Sequence, residues 1–423
     1  MSDTTQLAIT GGEPVRRKPL SGWPRGYEEG RKAINDVLDG GRWCRRGGEP
    51  GYGQKVEEWL IQLHKAAGAV MVTNGTHALE VALQGLGLEP GDQVLVPAIT
   101  FIATATAVSR LGAEPVPVDV LPENLCIDPA DAERKITSRA RVIIPVHLAG
   151  CPADMGSIVE IGRARGLYIL EDCAQALGAE WRGSVVGSFG DASTYSFQAG
   201  KIITAGEGGA IVVCRDRALL ERIQMITDCG VRPGHKWYEH ELIGSNYRMT
   251  EFQAALIMSQ VPAFSDWLVM RRDSALALVK SLEQLGVNCP TGASHPDVTL
   301  HVWSSLSLRL PEIVTGTFDS REIASILQAE GIQVQPLYTP WYSTTAYSGL
   351  YGLCPVAEEA ARTTVFLHFS LLLAGEEALS DTTRAIEKLI NWCRNSSPAQ
   401  KTRVQQMITN SHGKSAARAG DIR

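Results

Sequence analysis

Leu167-Tyr168-Ile169-Leu170-Glu171-Asp172, followed by Ser196-Phe197-Gln198-Ala199-Gly200-Lys201-Ile202-Ile203-Thr204-Ala205-Gly206-Glu207-Gly208-Gly209, is the pair of stretches that decides the fold. In the first, an apolar run closes on an acid. In the second, a strand opens into a small-residue turn that carries Lys201 and returns through glycines into Ala210-Ile211-Val212-Val213. Reactive side chains at the ends of apolar strands mark an open α/β sheet, where ligands collect at the carboxyl ends of the strands.

Working outward, strand-like runs recur at 70–72, 93–96, 115–118, 142–146, 167–170, 193–197 and 209–213, with helical patterns at 77–86, 103–111 and 155–165 between several of them. This alternation predicts an α/β large domain over residues 52–265, built on a mostly parallel seven-stranded sheet covered on both faces. Residues 1–51 read as an N-terminal arm with one helix at 28–38. Their basic clusters, Arg16-Arg17-Lys18 and Arg42, Arg45 and Arg46, suit an arm lying on a partner subunit. Residues 266–394 read as a smaller C-terminal α+β domain, with helices at 267–285, 320–331 and 375–393 and a strand at 301–310. The polar stretch 395–423 is expected to be a disordered tail.

The 423 residues are 44% apolar and 20% charged, with a formal net charge of −6. An acidic balance is poor footing for phosphate-backbone binding, so no nucleic-acid partner is expected. No basic segment followed by an apolar one opens the chain, and no apolar run reaches the ~20 residues of a membrane helix. A cytoplasmic protein with no membrane partner is the expectation. The nine cysteines are scattered without a C-x-x-C pair, which predicts neither disulfides nor a metal site. Cys173, beside Asp172, reads as a small packed side chain.

The chemistry follows from residue types at strand ends. A lysine among Phe197, Ala199, Gly200 and Ile202 is desolvated, which lowers its pKa and favours attack on a carbonyl. An acid at a neighbouring strand end can keep a pyridine nitrogen protonated. Together Lys201 and Asp172 are what pyridoxal 5'-phosphate (PLP) requires: the amine carries the cofactor aldehyde as a Schiff base, and the carboxylate makes the ring an electron sink. Thr73-Asn74-Gly75-Thr76-His77 lies between a strand and a helix. Gly75 allows close backbone approach and Thr76 is read as the helix cap with a hydroxyl to spare, a phosphate seat to which Ser196 adds a second hydroxyl. Phe101, ending another strand, can stack on the ring, and Gln175 can reach the ring hydroxyl. His147 reads as a satisfied core histidine.

These motifs, with Gly244-Ser245-Asn246-Tyr247-Arg248-Met249, resemble those of the DegT/DnrJ/EryC1/StrS sugar aminotransferases, and the resemblance runs from Gly11 to Trp392. It implies a fold-type-I PLP-dependent transferase. It further implies that Lys201 is the catalytic Schiff-base lysine, Asp172 the pyridine partner and Phe101 the stacking ring. Gly75, Thr76 and Ser196 become phosphate ligands, and Gln175 and Gln198 cofactor-pocket residues. Asn246 is implied to reach the phosphate from the neighbouring subunit, giving a homodimer with shared active sites. The look is nearest to 3-amino-5-hydroxybenzoate synthases and the ketocyclitol aminotransferases of antibiotic biosynthesis.

The expected reaction is transfer of an amino group from glutamine or glutamate to a keto group on a cyclitol or sugar. Three alternatives stand beside it. A nucleotide-linked keto-sugar acceptor would need cations for its diphosphate, with Arg16-Arg17-Lys18 or Arg42, Arg45 and Arg46 as candidates. A dehydratase or aromatising synthase would use the same lysine for elimination. A non-catalytic sensor or partner subunit would have kept only the fold. Acceptor choice is expected to lie in the loops 229–241, with Arg232, His235 and Lys236, and 336–343, with Tyr338, Trp341 and Tyr342.

Overall fold

The apolar runs assemble as seven strands: β1 Gly68–Val72, β2 Gln93–Pro97, β3 Glu114–Val118, β4 Ala140–Ile143, β5 Tyr168–Asp172, β8 Ala192–Ser196 and β9 Gly209–Val213. The short β6 Glu180–Trp181 and β7 Ser184–Val185 lie between the fifth and sixth of them. The computed structural model describes residues 6–20, 23–44, 51–234, 238–347, 349 and 352–420, the side chains of Tyr27 and of residues 411–420 excepted. The main sheet has the order β1-β9-β8-β5-β4-β2-β3. All its neighbours are parallel except the two pairings of β9. Every residue of β1, β2 and β9 is buried, because helices cover both faces of a parallel sheet and leave no solvent side for polar residues.

The helices of this layer are α1 Tyr27–Gly40, α2 Tyr52–His64, α3 Gly75–Gly85, α4 Ala103–Arg110, α5 Pro129–Lys135, α6 Met155–Arg165, α7 Arg217–Thr227 and α8 Glu251–Gln260. Helix α9, Phe264–Glu283, begins in the sheet's core with Phe264 and continues with Ala275, Leu278 and Leu282 into a second core. That second core surrounds an antiparallel sheet of order β11-β13-β12, formed by β11 Ser305–Arg309, β12 Val334–Pro336 and β13 Thr364–His368. Strand β10, Val298–Leu300, pairs back to β6 in the large domain. Around the small sheet lie α10 Glu312–Thr315, α11 Ser320–Ala329, α12 Pro355–Thr363, α13 Phe369–Leu372, α14 Glu376–Asn395 and α15 Pro398–Gly420.

Two expectations are corrected. The stretch 395–423 is not a disordered tail through the described residues: α15 seats Val404 and Ile408, one helical turn apart, in the small-domain core, and two aligned apolar residues anchor an otherwise polar helix. Part of the arm packs on the small domain of its own chain. Leu7 is fully buried in the same small-domain core, Arg16 pairs with Asp381 at 2.8 Å, and the amides of Ala8 and Val15 donate to Glu330. The arm and helix are therefore not one unit, since α1 packs Ala33 and Val37 against Ala255 of α8, on the large domain.

Candidate active site

Strand β5 delivers Glu171 and Asp172 to opposite sides of the sheet, as strand alternation requires. Glu171 is fully buried and accepts from the amides of Gly187, Phe189 and Gly190 at 2.6–2.8 Å and from His147 Nε2 at 3.2 Å. Burial pushes its carboxyl up, but His147 and the Gly190 and Gly187 amides outweigh it and hold the group below the usual carboxylate range. His147 accepts Ala153 N–H on Nδ1 at 3.0 Å, so Nε2 carries the proton. His147, Glu171 and Cys173 bring metal-type ligand atoms within 4.8 Å of one another. The saturated carboxylate makes this trio a hydrogen-bonded support under the strand end. Burial drives the Cys173 thiol well above its ordinary pKa, consistent with packing and not nucleophilicity.

Asp172, on the other side, is pinned at both oxygens. Thr104 Oγ1 donates to Oδ2 at 2.9 Å and the Ala174 amide to Oδ1 at 3.1 Å. Thr100 lies 2.9 Å from Thr104 and completes a relay from α4. Sequence reading missed Thr104. The signal was present in Thr100-x-x-x-Thr104, two hydroxyls one helical turn apart at a strand end. No helix follows Asp172, only turns.

Lys201 lies in the turn after β8, its backbone N–H bonded to Gln198 O at 2.8 Å. Among the described residues its amine has no hydrogen-bond partner; burial lowers its pKa and the charge of Asp172 pulls the other way. Lys201 lines one cleft with Gln175, Ser196 and Ser304. Gln198 does not face that cleft with its carbonyl: Oε1 takes the Gly200 amide at 2.7 Å. Gln175 is held by Ala149 N–H on Oε1 at 2.8 Å and reaches Tyr338 Oη from Nε2 at 3.5 Å.

The start of α3 abuts Ser196. A Cβ on Gly75 would stand 2.8 Å from Ser196 Cβ, and one on Gly209 only 2.4 Å from Asn74 O. At Gly209 only glycine lets the returning turn pass the backbone of the helix start, and at Gly75 a side chain would have to push Ser196 aside. The cap is Asn74, whose Oδ1 accepts the His77 amide at 2.8 Å, which corrects the assignment to Thr76 and leaves the Thr76 hydroxyl uncommitted to capping. Phe101 is 56% exposed, with its ring 6.4 Å from that of Tyr338. Asn246 is exposed on the segment that runs beside β1 through Tyr247, and its Oδ1 accepts the Arg248 amide at 3.3 Å.

The proposed specificity loops divide. Tyr338 faces Gln175 and Phe101, whereas Trp341 and Tyr342 are buried, Trp341 Nε1 donating to Pro97 O at 3.1 Å and Tyr342 to Glu358 at 2.6 Å. Arg232 is tied to Glu221 and Glu241. His235, Lys236, Arg45 and Arg46 lie outside the described residues.

A half-buried amine with no hydrogen-bond partner among the described residues, near a pinned carboxylate and beside a glycine-lined helix start with hydroxyls at hand, suits a flat anionic cofactor with an aldehyde, which makes this a lysine-based carbonyl-cofactor enzyme on an open α/β sheet. The model of the DegT/DnrJ/EryC1/StrS aminotransferase family matches residues 24–383. The chain belongs to that family and is a PLP-dependent transaminase. It is 34% identical over 413 residues to the L-glutamine:2-deoxy-scyllo-inosose aminotransferase of Micromonospora echinospora, covering 91% of this chain and 98% of that protein. It is 35% identical over 347 residues to the GDP-perosamine synthase of Escherichia coli O157:H7, covering 82% and 90%. The crystal structure of 3-amino-5-hydroxybenzoic acid synthase superposes with a TM-score of 0.83 at 32% identity, over 90% of this chain and 100% of that one. Among the described residues no helix is long and apolar enough to cross a membrane.

Proposed function

We propose that this chain transfers the amino group of glutamine to a ketone on a cyclitol ring, in the cytoplasm, as a step of antibiotic biosynthesis. The observation that carries the chemistry is the half-buried Lys201 amine, free of hydrogen bonds among the described residues and within the field of Asp172. PLP supplies an electron sink when bound. Lys201 would hold it and then move the proton at the donor's Cα. Asp172, fixed by Thr104 and Ala174, would orient the pyridine nitrogen. Gly75, Thr76 and Ser196 would seat the phosphate, Phe101 would cover the ring, and Gln175 and Gln198 would border the pocket. We place Asn246 in the site of a second copy, so that the working unit is a homodimer. Its exposure beside the 98% exposed Ile243 supports that reading.

The choice of a cyclitol over a nucleotide-linked sugar rests on similarity to the inosose aminotransferases and on one feature of the arm. Arg16, Arg17 and Lys18, the first candidates for a diphosphate, are each paired with an acid of the same chain: Asp381, Glu13 and Glu377. The test is the absorbance spectrum of the purified protein before and after glutamine, with Lys201→Ala alongside, followed by amination of 2-deoxy-scyllo-inosose. Loss of the visible cofactor band with glutamine, and an aminated cyclitol as product, is the expected result. A GDP-linked keto-sugar aminated in preference to the cyclitol would replace the proposed acceptor, and no conversion by any amino donor would end the reading.

A further inference from the structure

The residue that precedes Lys201 is gripped from two domains. Gly200 gives its N–H to Gln198 Oε1 at 2.7 Å, within the turn, and its carbonyl lies 3.0 Å from His368 Nε2, a residue of the small domain. His368 closes β13, where it pairs with Ser305 of β11, and its ring lies 4.2 Å from that of the fully buried Phe369. Its tautomer is fixed by its neighbours. Nδ1 accepts the Ser370 amide at 3.3 Å and lies 2.9 Å from Ser370 Oγ, so Nε2 carries the proton and donates to Gly200. Protonating Nδ1 would set two donors against each other. Burial, and the charges of Lys201 and Arg271, also hold the imidazole neutral against the pull of the Gly200 carbonyl.

The Gly200–Lys201 peptide is held at its C=O by His368 and at its N–H by Gln198 O at 2.8 Å, which leaves little freedom at the φ of Lys201. We propose that His368 is a positioning residue for Lys201, transmitting the seating of the small domain to the aim of the lysine amine through the Gly200 carbonyl. This rests on the reading of Lys201 as the cofactor-bearing lysine. Among the described residues no hydrogen bond joins His368 to the Lys201 amine, and the imidazole has two separable jobs: Nδ1 caps α13, and Nε2 holds the turn.

Two substitutions separate the jobs. His368→Asn places an oxygen where Nδ1 caps Ser370 but does not reach Gly200; His368→Gln places an amide N–H where Nε2 donates but gives up the cap. The first measurement uses the cofactor-free chain: the pH dependence of Lys201 acetylation by acetic anhydride, read by peptide mass. The second traps added PLP on Lys201 by borohydride reduction. In His368→Asn the acetylation midpoint is expected to move up by about half to one pH unit, as a loosened turn lets water reach the amine, with the trapped fraction falling several-fold. His368→Gln is expected to stay near the unaltered chain in both, whatever its melting temperature. Asn indistinguishable from the unaltered chain, or Asn and Gln shifted equally, would overturn the proposal. If the unaltered chain traps no cofactor on Lys201 while trapping it on another lysine, both the proposal and the reading beneath it fall.

Discussion

At the residue scale the site is a set of side chains held away from their own preferences. Lys201 is a half-buried cation on a largely exposed turn, and its lowered pKa carries a stability cost. Below its folded pKa that cost is fully present, and it fades as pH climbs toward 10.5, where the unfolded lysine also loses its proton. Lys201→Met is therefore expected to stabilise the cofactor-free chain at pH 7 by about 1 kcal/mol in a denaturant melt while abolishing borohydride-trapped cofactor at this position. Asp172→Asn removes a charge-assisted bond worth about 1.5–3 kcal/mol, and the rate of glutamine-driven cofactor conversion in stopped-flow absorbance is expected to fall roughly ten- to 150-fold. Lys201 and Asp172 were legible in the sequence because their types are rare at the ends of apolar strands. Thr104 and His368 were not, since a threonine in a helix and a histidine before a phenylalanine have many ordinary uses, and only the fold brings them to Asp172 and Gly200.

The elements sort by the same logic. All seven strands of the main sheet were legible, most plainly β1 and β9, which are buried along their whole length and read as unbroken apolar runs. The pairs β6–β7 and β10 were not, since two- or three-residue strands carry no period. The polar reading of the tail missed the packing of α15 through Ile408, because a period of 3.6 needs only Val404 and Ile408 to find a core. Strand β5 shows how an element can be specified twice, with Asp172 facing the site and Glu171 facing a cage of amides. Glu171→Gln keeps the shape but loses the charge those amides and His147 address, and about 3 kcal/mol of stability is expected to go, measured by urea melts at pH 7. Because the carboxyl is held below its ordinary 4.5, its stabilisation is present above that pH and lost as pH falls through the lower folded value, so the mutant and parent curves should converge in acid. Gly75→Ala, whose Cβ would collide with Ser196, is expected to leave the fold standing and to weaken PLP retention at least tenfold on dialysis.

For the whole molecule, the exposed apolar side chains bear on assembly. Ile243 is 98% exposed and Trp43 55%, and the ring of Trp43 packs on Phe252 close to the loop that carries Asn246. Sedimentation is expected to show a dimer, and Ile243→Asp to shift it toward monomer with loss of PLP retention. The small domain has a different debt. Its core takes Leu7 from one end of the chain and Val404 and Ile408 from the other, and Ile408→Ala is expected to cost about 2 kcal/mol and to lower the melting temperature. During synthesis the first of these residues emerges roughly 300 residues before the elements it will join, about 15–60 s at common ribosomal speeds. The sheet can form on the ribosome while the arm waits as a loose thread, so the nascent chain completes its second domain, and with it His368's hold on the lysine turn, only once Val404 and Ile408 have emerged.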